Sequence, residues 1–370
     1  MQSHRLALRR GMSDAEYVGL VRALDDRVAE VDGRGFRETP YRRVDAFGAW
    51  IKDETGNVAG SHKARHLMGI AIHLEVAERL GLAELRGRDL AIASCGNAAL
   101  AAAVVARAAG RRLRVFVPPT ANPAVLARLE ALGAERVICG RAPGDPPGDP
   151  CVHRFRAAVD AGVLPFSCQG PDNGLTIQGG LTLALELADQ HRRSGAAPLD
   201  RLLVQVGGGA LASGTIQGLK IAAAIGLLAR APRFTAVQTA NAHPLARAVE
   251  AARRRARAAS IDAAIAALRR RRDEAMIPWP EEPRSVAGGI LDDETYDWAV
   301  IAAAILETDG ALVLADEATL VAARERTLAD AGILADATGT AEIAGLLTLR
   351  ASGAIDRGES IAALVTGARR

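Results

Sequence analysis

The chain has 370 residues, 49% apolar and only 3% aromatic, and its 46 basic and 43 acidic side chains leave a net charge of +3. That length suits two lobes rather than one minimal domain, and an Ala/Leu/Val-filled interior favours helices packed on sheets over a β-sandwich. A near-neutral balance gives no global case for nucleic acid or a membrane surface as partner, and no 18-residue run is apolar enough to span a bilayer.

The N-terminus, MQSHRLALRRGMSDAEY, lacks the apolar core of a signal peptide. Gly60-Ser61 reads as a helix start, with Ser61 as N-cap and Lys63 in the first turn. Residues 90–94 read as a short buried strand, 98–109 as a helix stopped by Gly110, and 113–117 as a strand closed by Pro118-Pro119. A helix over 123–132 has Pro near its start and Gly133 after its end. A strand at 136–139 follows, and the Pro/Gly/Asp stretch 141–150 reads as an exposed loop.

The second half opens with a helix over 181–193. A strand at 202–206, a glycine turn at 207–209 and a helix over 210–225 come next, then a strand at 234–238. Residues 245–275 read as one long Ala/Arg helical segment. Beyond 296 the order is helix, strand (311–314), helix (317–331), helix (340–351) and a last strand at 361–366. Short apolar strands alternating with helices specify an α/β fold with mostly parallel sheets flanked by helices. No repeat or low-complexity linker divides the chain, so it reads as two lobes of one catalytic unit.

Four cysteines, Cys95, Cys139, Cys151 and Cys168, form no CxxC pair and no metal-ligand spacing. They read as free thiols in a reducing cytoplasm, with no metal site. The chain holds three lysines, Lys52, Lys63 and Lys220, beside many arginines. Arginine cannot act as an amine nucleophile, so each lysine is a candidate for a task arginine cannot perform. Lys63 sits where the helix dipole favours a neutral amine, the form that attacks an aldehyde; the bland alternative is a solvated lysine beside Arg65.

Ser94, Cys95, Gly96 and Asn97 lie between a strand and a helix, where backbone N–H groups form an anion site. The same four residues would also serve as an ordinary loop with Asn97 as N-cap. Gly207, Gly208 and Gly209, followed by Ala210 and Leu211, leave N–H groups uncovered at another strand-to-helix turn. They form a phosphate cup or else a flexible loop, and they lack the Lys-Ser/Thr of a triphosphate site. Thr366, at the end of the last strand, offers a neutral hydroxyl to a ring nitrogen.

In this order these segments resemble the fold-type II pyridoxal-phosphate enzymes: threonine synthase, the serine/threonine dehydratases, cysteine synthase and the tryptophan synthase β subunit. The resemblance covers roughly residues 37–370. Glu38-Thr39-Pro40 is similar to that family's "TPL" segment, Gly60-Ser61-His62-Lys63 to its "GSFK", and Ser94-Cys95-Gly96-Asn97 to its "SxGN". Gly207 to Leu211 resembles the phosphate loop, Asp336-Ala337-Thr338-Gly339-Thr340-Ala341 the "EPSSA" segment, and Thr366-Gly367 the terminal "TG". His62 and Ala64 depart from the usual Phe and Asp.

The resemblance implies pyridoxal 5'-phosphate as cofactor, held in a cleft between two lobes. Lys63 carries it as a Schiff base and then serves as general base for the α-proton. It implies that Asn97 meets the phenolate oxygen, that Ser94, Cys95, Gly96 and Asn97 grip the substrate carboxylate, and that Gln169 and Asn173 face substrate. The segment Ser285-Val286-Ala287-Gly288-Gly289-Ile290 stands where relatives line the cleft. Residues 1–86 and 169–370 are expected as a large cofactor lobe, and 87–168 as a small substrate-gripping lobe.

The implied reaction is β- or γ-elimination or replacement on a small L-amino acid, in the manner of a threonine synthase or a serine/threonine ammonia-lyase. A β-replacement enzyme of the cysteine synthase type is the alternative. A cytoplasmic homodimer is expected. From other classes stand a catalytically inactive homologue and a nucleic-acid binder using the Arg-rich stretch 247–272; the interleaved aromatics a binder would need are missing there.

Overall fold

A computed structural model of the chain describes residues 1–82, 85, 87–146, 148–280, 283–356 and 358–369. The chain opens with helices α1 (Gln2–Arg9) and α2 (Asp14–Asp32). Ser13 starts α2 through a reciprocal cap: its hydroxyl accepts the Glu16 N–H at 3.3 Å, and the Glu16 carboxylate accepts the Ser13 N–H at 2.8 Å. There follow β1 (Tyr41–Val44), β2 (Ala49–Asp53), α3 (Lys63–Arg79), β3 (Leu90–Ala93) and α4 (Asn97–Ala108). Next come β4 (Leu113–Val117), α5 (Pro123–Ala131), β5 (Glu135–Ile138), α6 (Pro150–Asp160), β6 (Leu164–Pro165) and α7 (Leu175–Arg193). The remainder is β7 (Arg201–Gln205), α8 (Ala210–Ala224), β8 (Arg233–Thr239), α9 (Pro244–Ala256), α10 (Ile261–Arg270) and the single turn α11 (Arg272–Ala275). It ends with α12 (Trp298–Glu307), β9 (Ala311–Ala315), α13 (Glu317–Ala331), α14 (Ala341–Ala351) and β10 (Ile361–Val365).

The chain divides into two compact units, Met1–Arg37 with Asn57–Gly180, and Glu38–Gly56 with Leu181–Arg370. The first holds a four-stranded sheet, β5-β4-β3-β6, parallel throughout. The second holds a six-stranded sheet, β1-β2-β10-β7-β8-β9, parallel except for the β1–β2 hairpin. The first unit takes in α2 and α3 together with residues 87–168. Leu24 and Val28 of α2 and Leu67 and Ile70 of α3 share one core with Val104 of α4, Ile92 and Val115. Burying those apolar faces places both helices in the first unit.

The segment 245–275 is three helices, not one. Ser260 restarts the chain by accepting the Ala263 N–H at 3.2 Å. The break lets Leu245, Ala248 and Val249 of α9 and Ile265 and Leu268 of α10 enter the same core, which one straight helix would not allow. The helix expected from 181 begins earlier, at Leu175.

Within the first unit, α3 packs against the start of α7 at van der Waals limits. A Cβ on Gly179 would stand 2.1 Å from the Arg65 carbonyl oxygen and 2.8 Å from His66 Cα, and one on Gly180 would meet the His66 ring at 2.2 Å. Gly179→Ala is expected to cost about 3 kcal/mol or more, the upper range for overpacking against a backbone that has little room to move. An unchanged thermal midpoint in that variant would contradict this packing.

Candidate active site

Lys63 is the first residue of α3. The chain reaches it through a 3-10 turn at Val58–Gly60, where Ala59 adopts φ 52° and the Asn57 side chain accepts the Val58 N–H at 2.7 Å. Ser61 is not the N-cap expected: it is extended as the turn ends, and His62 takes the capping position. Ser61 Oγ is buried with no hydrogen-bond partner among the described residues. The Cys168 thiol lies 4.0 Å from the Lys63 carbonyl oxygen. Burial pushes that thiol up to about 11, with the Lys63 charge acting the other way, so Cys168 packs as an inert wall behind Lys63.

The 167–173 segment lies in the same unit. The Gln169 N–H donates to Ser167 Oγ at 3.1 Å. Asn173 is committed to the backbone: its amide donates to the Pro165 carbonyl at 2.8 Å and its oxygen accepts the Leu175 N–H at 3.1 Å. It starts α7, and this corrects the expectation that it faces substrate. Ser94, Cys95 and Gly96 join β3 to α4, and Asn97 is the first residue of that helix, with Gly96 as the cap. A Cβ built on Gly96 meets nothing within 4 Å, so the loop backbone is open to approach. Helix α4 packs on both α3 and the Val58–Gly60 turn.

The other two lysines are occupied. Lys52 is fully buried and donates to the Thr39 carbonyl at 2.8 Å, Gln190 Oε1 at 2.7 Å and Glu186 Oε1 at 2.5 Å. Three bonds exhaust an ammonium. Thr39, from the Glu38-Thr39-Pro40 segment, thereby ties β2 to α7. Lys220 is half-exposed on α8 and pairs with Glu307 at 2.7 Å.

In the second unit, β7 delivers Gly207, Gly208 and Gly209 to the N-terminus of the 15-residue helix α8. The first helical bond there is Ser213 N–H to Gly209 O, at 2.8 Å. The N–H groups of Gly209, Ala210, Leu211 and Ala212 have no acceptor among the described residues. A Cβ on Gly209, whose φ is +103°, would press Ile301 at 2.9 Å. The Gly208 N–H donates to Asp292 Oδ2 at 2.8 Å. Asp297 lies over the same turn, its carboxyl pushed up to about 6 by burial.

Thr366 follows β10 and is 1% exposed. Its hydroxyl accepts a hydrogen bond from Gln205 Nε2, which leaves its own proton free to donate. The sequence reading missed Gln205, although an amide closing the otherwise apolar strand LLVQ was a visible signal. It also missed Asp292, for which no local signal exists.

A model of the family described as "Pyridoxal-phosphate dependent enzyme" matches residues 34–367. The chain belongs to the pyridoxal-phosphate dependent enzymes. This member is 26% identical to the threonine synthase of Methanocaldococcus jannaschii over 323 residues, 86% of this chain and 69% of that one. It is 29% identical to an L-serine dehydratase of Saccharomyces cerevisiae over 174 residues, 46% of this chain and 50% of that one. The matched stretch thus spans half the length of the dehydratase. Its fold is similar to that of a T.th. threonine deaminase (TM-score 0.68, 22% identity, 95% and 98% of the two chains). It is equally similar to that of maize serine racemase (TM-score 0.69, 18% identity, 95% and 93%). These are fold-type II enzymes, as the motif order implied.

The residues of this pyridoxal-phosphate enzyme fit its cofactor. Four successive N–H groups without acceptors at a helix N-terminus suit a phosphate dianion, and a hydroxyl with a free proton suits a pyridine nitrogen. Among the described residues no cluster of three potential metal ligands occurs, and no helix is long and apolar enough to cross a membrane.

The Arg-rich stretch lies on the outer faces of α9 to α11. Arg255 and Arg271 pair with Glu274, and Arg272 pairs with Glu294. Interleaved carboxylates of this kind mark a solvated face more than a phosphate-binding one. Replacing Arg269 and Arg270 with Gln is expected to leave turnover within about threefold, the scale of an exposed charge change. Loss of a salt-dependent affinity for DNA or RNA in that variant would instead support the binding-protein alternative.

Proposed function

We propose that this enzyme catalyses β- or γ-elimination or replacement on a small L-amino acid, in the manner of a threonine synthase or a serine/threonine ammonia-lyase. The observation that carries this reading is the Gln205-to-Thr366 bond. With an amide N–H already on its oxygen, Thr366 presents a proton to a ring nitrogen and leaves that nitrogen unprotonated. Such a ring withdraws fewer electrons, which suits departure of a leaving group more than transamination. When bound, pyridoxal phosphate supplies the sink for the α-carbon's electron pair.

The chain's own residues supply the rest. Among the described residues Lys63 is the lysine with no ion pair, and its Nζ takes the α-proton as general base. The N–H groups of Gly209, Ala210 and Leu211 bind phosphate, the Gly208 N–H joins them when Asp292 releases it, and Gly207 permits the turn. The Ser94, Cys95 and Gly96 backbone grips the substrate carboxylate. Asn97 donates to the cofactor's phenolate oxygen, and Gln169 lies on the substrate side.

The test is a panel of L-serine, L-threonine, O-acetyl-L-serine and O-phospho-L-homoserine, scored for keto acid, ammonia, acetate and phosphate. Elimination or replacement products from one of these are expected. Formation of the D-amino acid with no leaving group released would overturn the reading in favour of racemisation.

A further inference from the structure

Gln205 and Glu342 present a mismatch that a single proton resolves. Gln205 is 4% exposed. Its Nε2 donates to Thr366 Oγ1 and to the Thr338 carbonyl at 3.4 Å, while its Oε1 has no donor among the described residues. The Thr338 oxygen can only accept, so the amide nitrogen must point that way. Glu342, in the first turn of α14, is fully buried, and neither of its carboxyl oxygens has a hydrogen-bond partner from another described residue. Oxygen atoms that are all acceptors do not satisfy one another. One added proton on the carboxyl turns one of them into a donor.

Both residues stand on elements that pack against each other, β7 and α14. Side chains alternate along β7, so Gln205 shares a face with Leu203, which packs in one core with Ala341, Ile343 and Ala344 of α14. A Cβ on Gly345 would lie 2.4 Å from Val237 Cγ2, and Val237 is the register partner of Gln205 on β8. Glu342 precedes Gly345 by three residues and so faces the same way, one turn further towards the helix start.

We propose that Glu342 stands as an un-ionised carboxylic acid whose O–H is donated to Gln205 Oε1, making it the positioning residue that fixes the Gln205 amide and, through it, the direction of the Thr366 proton. Burial raises this carboxyl well above the ordinary carboxylate range. Its own backbone N–H opposes the rise, and Asp336, the nearby charge, adds to it. The role towards Thr366 rests on the elimination reading above, whereas the protonation state of Glu342 does not.

The first measurement is infrared difference spectroscopy on the cofactor-free protein. Wild type should show the carbonyl band of a buried, protonated carboxyl that persists through neutral pH and vanishes in Glu342→Gln. Absence of that band overturns the proposal, whatever reaction the enzyme performs. The second compares Glu342→Leu with Glu342→Gln, whose amide can still donate to Gln205. Glu342→Leu should shift the bound cofactor's absorption and lower kcat about tenfold with less change in KM, the scale of one buried hydrogen bond. Glu342→Gln should restore the wild-type spectrum. If Glu342→Leu leaves the spectrum and kcat unchanged, the positioning role is refuted. A wild-type protein without a cofactor spectrum would refute the elimination reading instead. The infrared arm needs only wild type and the near-isosteric Gln variant, so misfolding of the Leu variant does not remove the test.

Discussion

Lys63→Ala should lower turnover at least about a thousand-fold, because a positioned general base contributes about 10²–10⁴-fold and the covalent anchoring route is lost as well. It should still bind pyridoxal phosphate through the N–H groups at residues 209–212. Steady-state kinetics with the substrate identified in the panel measures the loss. No other lysine can substitute. Lys52 Nζ is held by Thr39, Glu186 and Gln190, and Lys220 pairs with Glu307 on the outer part of α8. Borohydride treatment of the wild-type enzyme should therefore leave a pyridoxyl group on the peptide containing Lys63, and an adduct on Lys52 or Lys220 would contradict the assignment. His62 is the evident alternative base; it is 7% exposed, with its ring 5.6 Å from that of His66. If Lys63→Ala kept near-normal turnover and Lys63→Ala/His62→Ala lost it, His62 would be the base. If both kept it, the chemistry would lie elsewhere in the chain.

Gly208→Asp should abolish cofactor retention through gel filtration while leaving the far-ultraviolet circular dichroism of the folded protein. The new Cβ would stand 3.0 Å from the Tyr296 ring and 3.4 Å from Asp292 Oδ1. A second carboxylate would then join Asp292 among N–H groups suited to a phosphate dianion, and like charges there oppose binding. The same physics gives a change of opposite sign. Asp292 already accepts the Gly208 N–H at 2.8 Å, so Asp292→Ala should release that donor and tighten binding of pyridoxal phosphate in a titration of the cofactor-free protein. Unchanged occupancy in Gly208→Asp would place the phosphate away from this turn.

Much of this was legible along the chain, wherever the information is local. Pro123 and Gly133 bracket α5, the glycine triplet marks the turn into α8, and short apolar runs mark β3, β4, β7 and β10. The motif order from Gly60 to Gly367 was enough to place the chain among the pyridoxal-phosphate enzymes. The reciprocal Ser13–Glu16 cap was equally readable, although no helix was expected there.

Packing decided what local pattern could not. The chain divides where it does because α2 and α3 bury their apolar faces with α4, a contact among residues far apart in sequence. The Ala/Arg stretch carries helical periodicity throughout, yet it breaks at Ser260 because both pieces must turn toward one core. Asn173 has the chemistry of a substrate ligand, but its partners are two backbone groups. Lys52 and Lys63 are the same residue type eleven positions apart. Only the fold surrounds Lys52 with Glu186 and Gln190 from α7. Short motifs in order carried the resemblance that pointed to the family and its cofactor, because each motif is complete within a few consecutive residues. Tertiary structure decided which polar groups are already satisfied and which remain available, because a hydrogen-bond partner is defined by distance in space and not along the chain.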